Sequence, residues 1–299
     1  AEPKRVLAWG NSLGGLVALR LIEDYSRSFD GAIALCASGA GSPKTQDRFL
    51  DFGLAYAVVF GWPDSAWGPV ENPRSGLNFA NDVNPLVNWP KSDGSNRGGW
   101  EFIRLVNGLA SESFWQTDPM NGRTGFTLQM IFATWFRALT QDWAAGPVAQ
   151  NLDHKYSLTP DEKAYLAGLG VAAEDLLAKM NARTNIEASP IARDYIDRFG
   201  AVHGYLQKPV LTMHTKLDTL IDPRHESAYR QSVEIWSRQN KLLQAYVQAV
   251  GHNAFTTKQL LAALAAMESW LDTGTKPGAS AFPADLGFDS GFVPKPWPY

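Results

Sequence analysis

Val6-Leu7-Ala8-Trp9-Gly10-Asn11-Ser12-Leu13-Gly14-Gly15-Leu16-Val17-Ala18-Leu19 decides how this chain is read. A short apolar run enters a sharp glycine-flanked turn, and an apolar helical pattern leaves it. The centre, Gly10 to Gly14, reads G-x-S-x-G. In a strand–turn–helix setting this pattern puts the serine on a strained turn, with its hydroxyl exposed above the end of a sheet. Glycine is expected on both sides, because a Cβ would clash where the helix doubles back over the strand. The pentapeptide alone is common. Its flanks give it weight, and Ser12 becomes the candidate nucleophile.

Composition narrows the classes. The chain has 299 residues, 45% of them apolar and 19% charged, enough for one large domain or a domain with a sizeable insertion. A net charge of −3 gives no basic footprint for nucleic acid. Apolar runs fall short of the roughly 18 residues that suggest a membrane span. The single cysteine, Cys36, ends the run Ala32-Ile33-Ala34-Leu35. It excludes an intrachain disulfide and reads as a buried, inert thiol. No metal-ligand spacing and no phosphate loop is present, so neither a metal nor a cofactor is expected.

Periodicity divides the chain. Strands are expected at 4–9, Gly31–Ser38, Pro209–Thr215 and Leu242–Val250. Helices are expected at 13–26, Arg224–Arg238 and Thr256–Trp270. The alternation points to an α/β, mostly parallel, doubly wound sheet. Between them the segment 39–207 shows helical patches such as Arg48–Phe60, Phe126–Leu139 and Ala172–Met180, and no clear strand. It reads as a large helical lid. The core is then 1–38 with 208–273, and 274–299, rich in Pro, Gly and aromatics, is an extended tail.

Two further residues fall just past strand ends, where ligands gather in open α/β sheets. Asp218 follows the strand that carries His214, and His252 follows the strand ending at Val250. A serine needs a base within reach and a carboxylate to orient that base. Ser12, His252 and Asp218 supply all three, and Ser12 is expected within hydrogen-bond reach of His252. Asp222 competes with Asp218 for the acid's place. The bland alternatives are that Ser12 caps its helix and that His252 is structural. His214 and His225 read as core or surface residues, His154 and His203 as solvated.

On the Gly10–Gly15 turn, the Asp218 loop and Gly251-His252-Asn253, in the chain order nucleophile, acid, base, the sequence resembles the α/β hydrolases. The resemblance covers 4–38 and 208–272 and implies an eight-stranded sheet with the serine turn after the fifth strand. It implies ester hydrolysis through an acyl-enzyme. Ser12 is the nucleophile, His252 general base then acid, Asp218 its orienter, and the Leu13 backbone N–H one oxyanion donor. A carboxylic ester of an apolar or aromatic substrate, small or oligomeric, is expected. A peptidase, an acyltransferase or a catalytically silent binding protein on the same fold is the alternative.

The chain departs from that pattern at its start. The strands that precede the serine turn in the family are missing, and so is the loop that brings the second oxyanion donor. An N-terminal fragment of the same precursor, cut before Lys4 near Ala1-Glu2-Pro3, is therefore expected to complete the sheet as a heterodimer. Within 39–207, Trp62, Trp67, Trp89, Trp100, Trp115, Trp135 and Trp143 read mostly as lid core, with a few lining the site. Arg104, Arg123 and Arg137 leave a carboxylate- or phosphate-bearing substrate open. Composition leaves the compartment open, leaning to secreted or periplasmic.

Overall fold

Alternating small and branched apolar residues build two faces on one short sheet. The computed structural model describes residues 4–118 and 122–298, so the stub 1–3 lies outside the described residues. Strands β1 (Leu7–Asn11), β2 (Gly31–Leu35), β3 (Val210–Leu217) and β4 (Leu242–Val250) pair in that order, all parallel. Among the described residues the sheet has four strands where the resemblance implies eight, and β1 lies at its edge. Pairing starts at Leu7↔Gly31 rather than at Lys4 and runs on to Asn11↔Leu35, so the strand reaches the serine itself.

The chain divides into two compact units. The first holds 1–42, 115–125 and 200–298, so 115–125 and 200–207 join the sheet rather than the segment between β2 and β3. On one face of its sheet, Ala8, Ala32, Ala34 and Val210 pack against helix α1 (Leu13–Asp24) through Ala18, Leu19 and Ile22. Tyr229 and Val233 of α11 (Arg224–Ile235) complete that cluster. On the other face, Ile33, Leu35, Leu211, Met213 and Val247 meet Ala263, Ala266 and Met267 of α12 (Thr257–Thr273). Period-2 alternation thus feeds two apolar layers, as in a sheet covered on both sides. Helix α12 starts at a Thr256–Gln259 capping box and stops at Gly274, whose φ of 70° a left-handed cap requires. The segment after it bridges back to β4 at Val247↔Phe288.

The second unit holds 43–114 and 126–199 and is helical. Its helices are α2 (Gly41–Phe60, which starts in the first unit), α3 (Asp64–Trp67), α4 (Arg97–Val106) and α5 (Ser111–Trp115). Then follow α6 (Gly125–Ile131), α7 (Arg137–Ala144), α8 (Pro160–Gly168), α9 (Ala173–Asn181) and α10 (Pro190–Gly200). The helix expected over Phe126–Leu139 is interrupted by a π-helical turn at Phe132–Phe136. Aromatics form its core: the Tyr56 ring lies 5.8 Å from Trp100 and 6.1 Å from Trp67, and Trp100 lies 5.2 Å from Phe126. Trp135 and Trp143 are exposed instead. Among the described residues no helix is long and apolar enough to cross a membrane.

The turn between β1 and α1 shows which glycines the geometry demands. A Cβ on Gly10 would sit 1.9 Å from the Gly14 carbonyl oxygen, and one on Gly15 would sit 2.8 Å from the Ala37 Cβ. A Cβ on Gly14 would meet nothing within 4 Å, so Gly14 is not needed for space as the sequence suggests. Gly10→Ala should therefore cost about 3 kcal/mol by overpacking against backbone. Gly14→Ala, inside a helix, should be neutral or stabilising by up to about 1 kcal/mol. Urea midpoints of the two variants test this contrast.

Candidate active site

Ser12 is where the backbone is forced. Its φ of 56° and ψ of −122° lie outside the regions that L-residues prefer. Its N–H donates to the Leu35 carbonyl at 2.8 Å, extending the β1–β2 ladder into the turn. The side chain makes no capping hydrogen bond to α1, so the capping alternative is not what the structure shows. Ser12 is half-buried. The next residue, Leu13, opens α1, and its N–H is one of the first-turn donors that lack an intrahelical acceptor.

The expected acid and base, Asp218 and His252, come from neighbouring strand ends. Leu217 pairs with Val250, and the Gly251 N–H donates to the Leu217 carbonyl at 2.9 Å. That register sets the loop after β3 beside the loop after β4. His252 Nδ1 lies 2.8 Å from Asp218 Oδ2 and 3.0 Å from Oδ1. Asp218 Oδ1 also accepts the N–H groups of Leu220 and Ile221, each at 2.8 Å, which fixes the carboxylate within its own loop. Asp222 does something else: it accepts the Arg224 N–H at 2.7 Å and pairs with the Arg224 side chain at 2.9 Å. Nε2 of His252 is buried and has no hydrogen bond among the described residues. The Ser12–His252 hydrogen bond expected from the sequence is thus not formed, although such bonds are often long before substrate binds.

Burial opposes charge on Asp218, but His252 and His214 outweigh it and hold its carboxyl well below the usual carboxylate range. Cys36 ends β2 with a φ of 42°. Burial pushes its thiol up to about 12. Cys36 Sγ, an Asp218 oxygen and a His252 ring nitrogen lie within 4.8 Å of one another. A thiol that stays protonated is a poor metal ligand, and Asp218 already holds Nδ1 of His252.

One participant carried no signal in the sequence. Asp118, fully buried in 115–125, accepts the His252 backbone N–H at 2.7 Å and the Thr219 hydroxyl on the same oxygen, Oδ2. It therefore ties the Asp218 loop to the His252 loop. Of the arginines left open for an anionic substrate, two are committed elsewhere. Arg137 is buried, and its guanidinium donates to the carbonyls of Val70 at 2.7 Å and Glu71 at 3.2 Å. Arg104 pairs with Glu101 at 2.7 Å, while Arg123 is exposed. His154, expected in solvent, has a buried ring bonded to Asp51 at 2.8 Å, because the Asp51 carboxylate inside the second unit needs donors. His203 is exposed and His225 buried.

A doubly wound parallel sheet, a strained serine between strand and helix, and an aspartate–histidine pair on adjoining strand-end loops give an α/β fold similar to the one the sequence resemblance implies. The chain is similar to o-phthalyl amidase of Xanthobacter agilis, 24% identical over 329 aligned positions that cover 95% of this chain and 71% of that protein. Among solved structures it resembles the tannin acyl hydrolase of Aspergillus niger, with 15% identity, a TM-score of 0.42, and coverage of 93% of this chain and 58% of that one. It also resembles an esterase from Aspergillus oryzae, with 13% identity, a TM-score of 0.36, and coverage of 92% and 60%. The chain therefore spans about 60% of the length of these solved structures. No protein-family model matches.

Two consequences can be measured. Asp118→Ala leaves a buried N–H and a buried hydroxyl without their acceptor, which should cost about 1–3 kcal/mol in chemical denaturation. Asp118→Asn, which keeps an acceptor oxygen, should cost less. The second concerns pH. The folded carboxyl of Asp218 lies below its unfolded value, so its stabilisation is complete above the ordinary range near ~4 and shrinks as pH falls below it. The melting temperature should drop on acidification through that range, and Asp218→Asn should flatten the drop.

Proposed function

We propose that this chain hydrolyses a carboxylic ester of an apolar or aromatic acid through an acyl-enzyme on Ser12. The observation that carries the reading is His252, fixed by Asp218 at Nδ1 while Nε2 stays unpartnered, in the same sheet unit as a serine held at positive φ. Ser12 Oγ attacks the ester carbonyl carbon as His252 Nε2 takes its proton, and Asp218 stabilises the imidazolium that forms. The new oxyanion lies against the Leu13 N–H. The carbon–oxygen bond to the alcohol then breaks, and Nε2 returns the proton to the leaving alkoxide. Water, deprotonated by the same nitrogen, attacks the acyl carbon; the bond to Ser12 Oγ breaks, Nε2 returns the proton to that oxygen, and the acid is released.

Amide hydrolysis is the second reading. The similarity to o-phthalyl amidase favours it, and its name also favours an aromatic acyl group. The same steps serve an amide, with the amine leaving as Nε2 protonates it. The helical segment between β2 and β3 is read here as a lid.

The open side of the sheet belongs to the same reading. Val6 and Trp9, at the edge strand, are exposed, as are Leu13 and Val17 along α1. An unpaired parallel edge with apolar flanks invites another strand. A further segment of the same precursor pairing with β1 would cover these residues and bring a second oxyanion donor. Intact mass and denaturing electrophoresis of the active native protein test this, and a single active species of 32.8 kDa would exclude it.

A fluorophosphonate probe followed by peptide mapping should label Ser12. Ser12→Ala should reduce hydrolysis of an aryl ester by about 10⁴-fold or more while far-UV circular dichroism stays unchanged. Asp218→Asn should reduce kcat by about 10⁴-fold through the wrong imidazole tautomer. A larger loss in Asp222→Asn than in Asp218→Asn would reassign the acid.

A further inference from the structure

Behind Asp218 the sheet buries a second histidine between carboxylates. His214, on β3, is fully buried. Its Nε2 lies 2.7 Å from the Ile221 carbonyl oxygen and 3.4 Å from Asp218 Oδ2. Its Nδ1 lies 3.3 Å from Glu226 Oε1, on α11. Glu226 is 2% exposed, and its other oxygen already accepts the Thr212 hydroxyl and, at 2.6 Å, the Gln244 amide.

Every neighbour of the His214 ring nitrogens is an acceptor. A neutral imidazole has one N–H and one bare lone pair. With a carbonyl oxygen at one nitrogen and a carboxylate at the other, a neutral ring would aim that lone pair at oxygen. The imidazolium, with two N–H donors, matches both sides. Glu226 Oε2 already accepts from two donors, the Thr212 hydroxyl and the Gln244 amide.

We infer that His214 is a permanently protonated positioning residue, a buried cation between Glu226 and Asp218 that keeps Asp218 ionised and aligned on His252. The inference rests on the proposed role of Asp218 and His252 in catalysis. The charges show what it does there. At rest, two carboxylates face one imidazolium, His214. When His252 accepts the Ser12 proton, the four groups balance, so the reaction neutralises the buried cluster. Without His214 the cluster would start one charge more negative and would bind that proton before Ser12 could supply it.

The surroundings agree. Burial disfavours charge on His214, but Cys36 at the end of β2, Asp218 in the loop after β3 and Glu226 on α11 lift its pKa well above the ordinary value. The Cys36 contribution needs a thiolate, and that thiol is pushed up to about 12, so at neutral pH the two carboxylates do the lifting. Beyond Glu226 stands Tyr246 of β4, with its hydroxyl proton held more tightly than usual, and beyond Asp218 stands His252.

The test reads protonation directly. The whole chain, labelled with ¹⁵N-histidine, carries five histidines, and substituting the other four one at a time assigns His214. Both His214 ring nitrogens should stay in the protonated form from pH 6 through pH 8 and release a proton only on the alkaline side. Glu226→Gln should move that release to lower pH. A neutral His214 at pH 7, with the proton on Glu226 or elsewhere, overturns the inference, and this needs no variant of His214 to fold. In activity, His214→Gln should lower kcat on p-nitrophenyl acetate by about tenfold or more with KM little changed, and should move the acid limb of kcat/KM to higher pH. A folded His214→Gln with the parent's pH profile also overturns it. The catalytic reading fails separately: if Ser12→Ala hydrolyses the ester like the parent, the triad is wrong, whatever His214 titrates like.

Discussion

Everything in the candidate site leans on one buried carboxylate. Moving a carboxylate out of water costs several kcal/mol unless partners replace the lost hydration. Asp218 has them: two backbone N–H groups of its own loop, the His252 ring on one side and the His214 ring on the other. The backbone donors fix where the oxygens point. The two imidazoles make ionisation affordable in a place where burial alone would neutralise the acid. If any of these contacts were removed, the carboxylate would gain a proton or swing out of line.

The sheet makes this possible by register rather than by local sequence. Leu217↔Val250 aligns the ends of β3 and β4, and the Thr215 hydroxyl donates to the Gly251 carbonyl at 2.7 Å, pinning the second loop. Asp118 then binds both loops with a single carboxylate oxygen. Side chains on adjacent strand ends converge because parallel strands all present their carboxyl ends on one side. Their separation along the chain, 34 positions between Asp218 and His252, is irrelevant to that convergence.

How much of this was legible follows from where each signal resides. Strand ends and glycine turns leave local traces, so the Asp218–His252 pair and the strained turn at Ser12 could be anticipated, whereas the expected Ser12–His252 hydrogen bond is not formed. The layered sheet followed from the alternation of apolar runs. Asp118 left no trace, since its partners are a backbone N–H and a hydroxyl far away in sequence, and nothing around Trp115–Gly125 marks it as part of the sheet unit. His214 was placed in its strand correctly, but its carboxylate neighbours are visible only once β3 and α11 are packed. The arginines misled for a related reason. Arg137 looks like an anion ligand in sequence, but folding points it at backbone carbonyls. Gly14 looked required by motif, yet space is demanded at Gly10 and Gly15.

A second candidate nucleophile stands near the His252 imidazole, and physical chemistry weighs it against Ser12. Cys36 Sγ shares the Asp218–His252 cluster, and a thiol is ordinarily the better nucleophile. Its reactive form is the thiolate, however, and burial beside Asp218 pushes that form out of reach near neutral pH. The thiol is also fully buried, so an ester carbonyl has no approach to it. Ser12 has the opposite profile. Its hydroxyl is intrinsically weak, but the positive φ lifts it out of the ladder, the side chain is free of capping, and the start of α1 offers an N–H for the developing charge. In the proposed mechanism a base compensates for low acidity, whereas intrinsic nucleophilicity cannot compensate for burial. At Cys36 burial is the larger cause: it holds the thiol protonated although the His214 ring nearby would favour the thiolate. Burial therefore silences the thiol, which is why the proposed chemistry is assigned to Ser12.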